Sequence, residues 1–128
     1  AEAMQTAVFM ITQGLLDLGI LTGDLQSCIE DQAHKAFFMH GLGHYLGLDV
    51  HDVGNYKDNG SDKVLEKGMV MTVEPGIYIS TKANVPEKYK GIGVRIEDNI
   101  VITAKGNEVL TRNTPKTVED IEAFMAKR

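Results

Sequence analysis

The chain has 128 residues, room for one compact domain and little more. Apolar residues make up 43%, enough for a buried core, while a formal charge of −5 with no run of Lys or Arg argues against nucleic acid or an anionic membrane as partner. A single cysteine, Cys28, excludes a disulfide framework and points to a cytoplasmic setting, and no apolar run nears the roughly 20 residues that span a bilayer.

The chain opens with AEAMQTAVFM, already inside a helical pattern and without an initiator Met. That start fits a processed protein or a piece of a longer chain. Ala7, Val8, Ile11, Leu15 and Leu18 recur at helical spacing, which predicts a helix over Met4 to Leu18 stopped by Gly19. Asp24 is a suitable N-cap for a second helix over Leu25 to Gln32, with Cys28 as a small buried hydrophobe on it. His34 stands alone after this helix and reads as structural.

The next stretch, FFMHGLGHYLGLDVHD from Phe37 to Asp52, holds His40, His44 and His51. Gly41, Gly43 and Gly47 disfavour a long helix, and a short helical turn is expected around Leu42 to Leu46. Such a turn sets His40 and His44 four apart on one face. A zincin HExxH helix would need Glu at position 41, where Gly41 stands. Asp49 to Asp52 reads as extended chain ending in a turn at Gly54-Asn55, and Tyr56 to Gly68 as a loop ending in Leu65-Glu66-Lys67-Gly68, with one tight turn before the next strand.

Met69 to Val73 is a strand in which Val70, Thr72 and Glu74 share one face. Pro75-Gly76 interrupts it before Ile77 to Ile79 resumes an extended path. Thr81 to Lys90 reads as a loop. Gly91 to Thr103 alternates strongly, with Ile92, Val94 and Ile96 on an expected core face and Gly93, Arg95 and Glu97 on a face that could line a cleft. A hairpin turn near Gly106 leads to Glu108–Thr111. Thr117 caps a last helix over Val118 to Lys127. Helices first and an antiparallel sheet after them give an α+β class rather than alternating βαβ units.

The polar residues left to explain are His40, His44, His51, Glu74, Arg95 and Glu97. One imidazole and two carboxylates could hold a divalent cation with a position open for water, whose pKa such an ion lowers. The other histidines could steady an oxyanion or move protons, and Arg95 could hold a carboxylate or a peptide carbonyl. Glu74 and Glu97 balance one divalent ion but not two. No GxSxG elbow, phosphate loop or CxxC pair is present.

Three blocks, MHGLGHYLGLDVHDVG, MVMTVEPGIYI and GIGVRIEDNIVIT, resemble in order and spacing the C-terminal half of the catalytic domain of the aminopeptidase P (Xaa-Pro aminopeptidase) family, peptidase family M24. The resemblance runs over nearly the whole chain. It implies the pita-bread (creatinase/aminopeptidase) fold, here as its C-terminal half, with helices packed on a curved, mostly antiparallel sheet. It implies two divalent metals, manganese above all, with cobalt, zinc or iron as alternatives. His44, Glu74 and Glu97 match the family's metal ligands, Glu74 serving also as general acid/base and Glu97 as the bridge. His40 then lines the substrate pocket, His51 contacts the scissile carbonyl, and Arg95 positions the peptide.

By the same resemblance the substrate is a peptide with proline in second position, cut by metal-hydroxide attack, and the full-length protein is a homo-oligomer. The family's two Asp ligands lie upstream of the first helix here. Residues 1–128 are therefore expected to be the C-terminal portion of a longer catalytic domain, inactive and binding metal weakly in isolation. Prolidases, which cut Xaa-Pro dipeptides, are nearly as similar. A non-catalytic pita-bread binding module is the other alternative, opposed by the presence of all three matching ligands.

Overall fold

The computed structural model describes residues 1–127. It begins with helix α1 (Glu2–Asp17), which buries Thr12 and Leu15. Its end is a complete Schellman closure around Gly19 at φ 68°: the Gly19 amide donates to the Leu16 carbonyl and the Ile20 amide to that of Leu15, both at 2.9 Å. This turn carries Ile20 back onto Leu15. The two join Phe37 and Ile79 in the buried core, with Ile11, Leu21, Ile77, Val85 and Tyr89 packed around them. Helix α2 (Leu25–Glu30) starts where the Asp24 carboxylate accepts the Ser27 amide at 2.9 Å. That bond holds the Asp24 carboxyl below its ordinary pKa. A 3-10 turn (Ala33–Ala36) follows, with His34 buried inside it.

The strands are β1 (Lys57–Asp58), β2 (Ser61–Asp62), β3 (Val70–Val73), β4 (Gly76–Tyr78), β5 (Gly93–Arg95), β6 (Asp98–Thr103) and β7 (Gly106–Val109). All pairings are antiparallel: β1 with β2, β3 with β6, β6 with β7, and β4 with β5. Helix α3 (Val118–Met125) closes the described chain, its Asp120 amide bonded to the Thr117 hydroxyl at 3.1 Å. The α+β class follows directly, with α1 and its turn packed on the β4 end of the sheet.

Four expectations change. The helical turn at Leu42 to Leu46 is absent; that segment lies extended beside β3, with Tyr45 bridged to Met71. Its backbone finds better partners in β3 than in itself, because the Glu74 amide donates to Leu42, the Thr72 amide to His44, and the Leu46 amide to Val70. Asp49 to His51 is bent rather than extended. The loop at Tyr56 to Gly68 contains the β1–β2 hairpin, turned by Asn59 and Gly60, both at positive φ. The long strand at Gly91 to Thr103 divides into β5 and β6, and its supposed core face is open: Ile92, Val94 and Ile96 are 41–52% exposed. Alternation reported a two-sided strand correctly, but nothing among the described residues packs on that side closely enough to bury it.

Candidate metal centre

The site is built at a bend in one antiparallel ribbon. In the β3–β6 ladder Val73 faces Asp98, and in the β4–β5 ladder Gly76 faces Arg95. These pairs share a single register, so the two ladders are one ribbon interrupted for two residues on each strand. The interruption sits where Pro75 has no amide to give. The Ile96 amide still reaches the Pro75 carbonyl, at 3.3 Å. In that register Glu74 lies directly opposite Glu97.

On the other side of β3, His44 pairs with Thr72 through the extended Leu42–Leu46 segment. Three neighbouring extended segments therefore present His44, Glu74 and Glu97 to one side. Each offers a ligand atom, and these atoms lie within 4.8 Å of one another. Glu74 is 8% exposed, His44 half-buried and Glu97 exposed. Close approach of the His44 segment depends on Gly43, where a Cβ would stand 1.9 Å from the Thr72 carbonyl oxygen.

The hydrogen bonds fix which atoms are free. His44 Nδ1 lies 2.9 Å from the Tyr45 carbonyl, which only accepts, so Nδ1 carries the proton. In the neutral ring, Nε2 then presents a lone pair, 3.2 Å from Glu74 Oε1. In that neutral form the two acceptors repel unless a proton or a metal ion lies between them. Glu74 and Glu97 add a second repulsion as like charges directly opposite on paired strands. With the ligand atoms within 4.8 Å of one another, it is worth on the order of 1–3.5 kcal/mol between bulk-water and near-surface screening. Arg95 offsets part of it, its Nη1 lying 3.3 Å from Glu74 Oε2. One arginine against two carboxylates leaves a net negative, imidazole-flanked cluster, a donor set that fits a divalent transition-metal ion.

Around the cluster, Arg95 Nε donates to the Tyr78 hydroxyl at 2.6 Å, and that hydroxyl meets His40 Nε2 at 3.2 Å. His40 Nδ1 donates to the Gly41 carbonyl at 2.7 Å, which leaves Nε2 as the acceptor. The relay therefore runs Arg95 to Tyr78 to His40, and its other end joins Glu74 through Arg95. His40 is thus linked to the cluster without being a member of it. The exposed ring of His51 stands 4.4 Å from that of His44, brought there by the bend after Leu48.

Two participants escaped the sequence reading, Tyr78 and Thr72. Tyr78 is four residues beyond Glu74 on the same strand parity, and that parity was the available signal. Gly76 lies between them because a Cβ there would come within 2.6 Å of the Tyr78 oxygen. Thr72 shares the Glu74 face, a parity that by itself assigns it no chemical task. A hollow of about 960 Å³ between α1 and Tyr45, Tyr56 and Met71 is lined by none of His44, Glu74 and Glu97. Chemistry, not cavity size, locates the site.

The family model described as metallopeptidase family M24 matches residues 1–104. Among curated relatives, the Xaa-Pro aminopeptidase of Haemophilus influenzae is 60% identical over 126 residues, which is 97% of this chain and 29% of that protein. That of Escherichia coli K12 is 56% identical over 124 residues, 97% of this chain and 28% of its own length. Among solved structures, Yersinia pestis proline aminopeptidase P II superposes with a TM-score of 0.93 at 55% identity, covering 99% of this chain and 29% of its own. Pseudomonas aeruginosa aminopeptidase PepP gives 0.95 at 56% identity, covering 98% and 29%. The chain spans under a third of the length of each.

Proposed function

The chain belongs to metallopeptidase family M24, and from that premise we propose that it is the C-terminal portion of a pita-bread catalytic domain in an Xaa-Pro aminopeptidase. The full-length protein releases the N-terminal residue from peptides with proline in second position. Family membership implies divalent metal; we assign His44, Glu74 and Glu97 as ligands, with manganese as the favoured ion and cobalt, zinc or iron as alternatives. The single observation that carries the assignment is the convergence of these three side chains, from three neighbouring segments, at the bend of the ribbon. Glu74 and Glu97 neutralise one divalent ion; a second draws on the upstream Asp pair that the family resemblance implies.

Bound metal supplies Lewis acidity and lowers the pKa of a water. The chain's own residues do the rest. Glu74 takes up a proton at its carboxylate and hands it to the leaving proline nitrogen. His51, exposed over the His44 ring, donates a ring N–H to the oxygen of the scissile carbonyl. His40 lines the substrate pocket, and Arg95 positions the peptide while holding Glu74. The lone buried thiol of Cys28 supports a cytoplasmic setting, and the family resemblance supports a homo-oligomer. No helix among the described residues is long and apolar enough to cross a membrane.

The test is made on the full-length protein. Glu97→Ala is expected to lose both bound manganese and hydrolysis of an Xaa-Pro-Yaa tripeptide. Unchanged turnover would refute the metal assignment, and a strong preference for the Xaa-Pro dipeptide would move the reading to prolidase. The isolated 128-residue chain is expected to bind metal weakly and to turn over little.

A further inference from the structure

We propose that Thr72 is a positioning residue that sets two of the assigned metal ligands through one oxygen atom, an inference that rests on the metal-centre reading above. Thr72 Oγ1 accepts the His44 backbone amide at 3.0 Å and donates to Glu74 Oε1 at 3.0 Å. The direction of both bonds is settled by chemistry. An amide N–H can only donate, so the hydroxyl accepts there, and its single proton remains for Glu74. Glu74 Oε1 is the oxygen that faces His44 Nε2 at 3.2 Å. With one lone pair of Oε1 engaged by Thr72, the carboxylate is restrained from swinging away from His44.

The arrangement is protected. Thr72 is 1% exposed, so water does not compete for its hydroxyl. Its own amide donates to the His44 carbonyl at 2.9 Å, which locks the segment carrying His44 onto β3. Gly43 allows the approach: a Cβ there would come within 3.1 Å of Thr72 Oγ1 as well as striking the carbonyl. An ordinary strand threonine contributes shape and a methyl group. This one joins the backbone of one ligand to the carboxylate of another, and outer partners of this kind tune metal affinity by about 10–100-fold.

The experiment uses the full-length protein, stripped of metal and titrated with manganese, with free Mn2+ followed by electron paramagnetic resonance. Thr72→Val keeps the shape and removes the hydroxyl; it is expected to raise the manganese Kd by about 10–100-fold. Thr72→Ser keeps the hydroxyl and is expected to bind within about threefold of the unaltered protein. Activity of Thr72→Val is expected to return at saturating manganese. Should Thr72→Val fail to fold, Thr72→Ala carries the same expectation. Equal affinity in the unaltered protein and Thr72→Val, or a Thr72→Ser variant as weak as Thr72→Val, overturns the proposal and leaves the metal centre standing. An unaltered protein that binds no manganese, or binds it no better than Glu97→Ala, overturns the metal-centre reading itself, and the proposal with it.

Discussion

Neutralising Glu97 should move the metal-free and metal-loaded proteins in opposite directions. Glu97→Gln keeps the size of the side chain and removes its charge. Without metal, the Glu74–Glu97 pair costs roughly 1–3.5 kcal/mol, and the lower end applies because Glu97 is exposed and Arg95 stands beside Glu74. The variant's metal-free ribbon should therefore open less often, by about 1 kcal/mol. That corresponds to about fivefold slower amide exchange in Val70–Val73 and Asp98–Thr103. With manganese at a hundredfold excess over its Kd, the unaltered protein should gain about 2.7 kcal/mol of protection. The variant should gain far less if Glu97 is the ligand proposed above. The assay is hydrogen exchange on the full-length protein with chelator and with manganese. Faster exchange in the metal-free variant, or equal protection by manganese in both proteins, would refute the reasoning.

Tyr78→Phe removes the hydroxyl that Arg95 and His40 share. It should lower kcat on an Xaa-Pro tripeptide about 10–100-fold while bound manganese, measured by elemental analysis, stays unchanged. Asp98 anchors the segment after β7 through the Thr111 hydroxyl and Lys116 Nζ, the latter at 3.1 Å. Burial pushes its carboxyl up, but these two partners outweigh burial and hold it below the ordinary value. Its contribution to stability is therefore complete above the unfolded value near pH 4 and lost as pH falls through the lower folded value. The difference in urea stability between the unaltered protein and Asp98→Asn should be flat near neutrality and shrink as the medium becomes strongly acidic.

Local signals survived intact where the physics is local. The Gly19 stop, the Asp24 cap and the Thr117 cap are each decided by a few adjacent residues, and each forms as expected. The Asn59-Gly60 turn carried an equally local signal that was passed over; Asn-Gly is a strong two-residue hairpin turn. The segment from His40 to His44 was open to two periods. Helical spacing puts residues four apart on one side, and an extended chain does the same, so the histidines alone could not choose between them. The choice was made by β3, whose free edge takes the amide of Leu46 and offers its own from Thr72 and Glu74. Ile92, Val94 and Ile96 show the reverse limit, since alternation identifies a two-sided strand but not what lies against either side.

The sequence by itself determined the inventory: three histidines in one stretch, an acid at the end of an apolar strand, and Arg95 and Glu97 two apart on another. It also determined the bend, because Pro75 cannot donate to a ladder wherever that ladder runs. Only the tertiary structure decided that the two ladders keep one register through the bend, so that Glu74 faces Glu97, and that the His44 segment lies on the opposite edge of β3. Register is a relation between strands 15 or more residues apart, and no local preference encodes it. The same holds for the direction of a hydrogen bond. Which nitrogen of His44 is free depends on the Tyr45 carbonyl beside it, and which oxygen of Glu74 is held depends on Thr72, each a matter of three-dimensional placement.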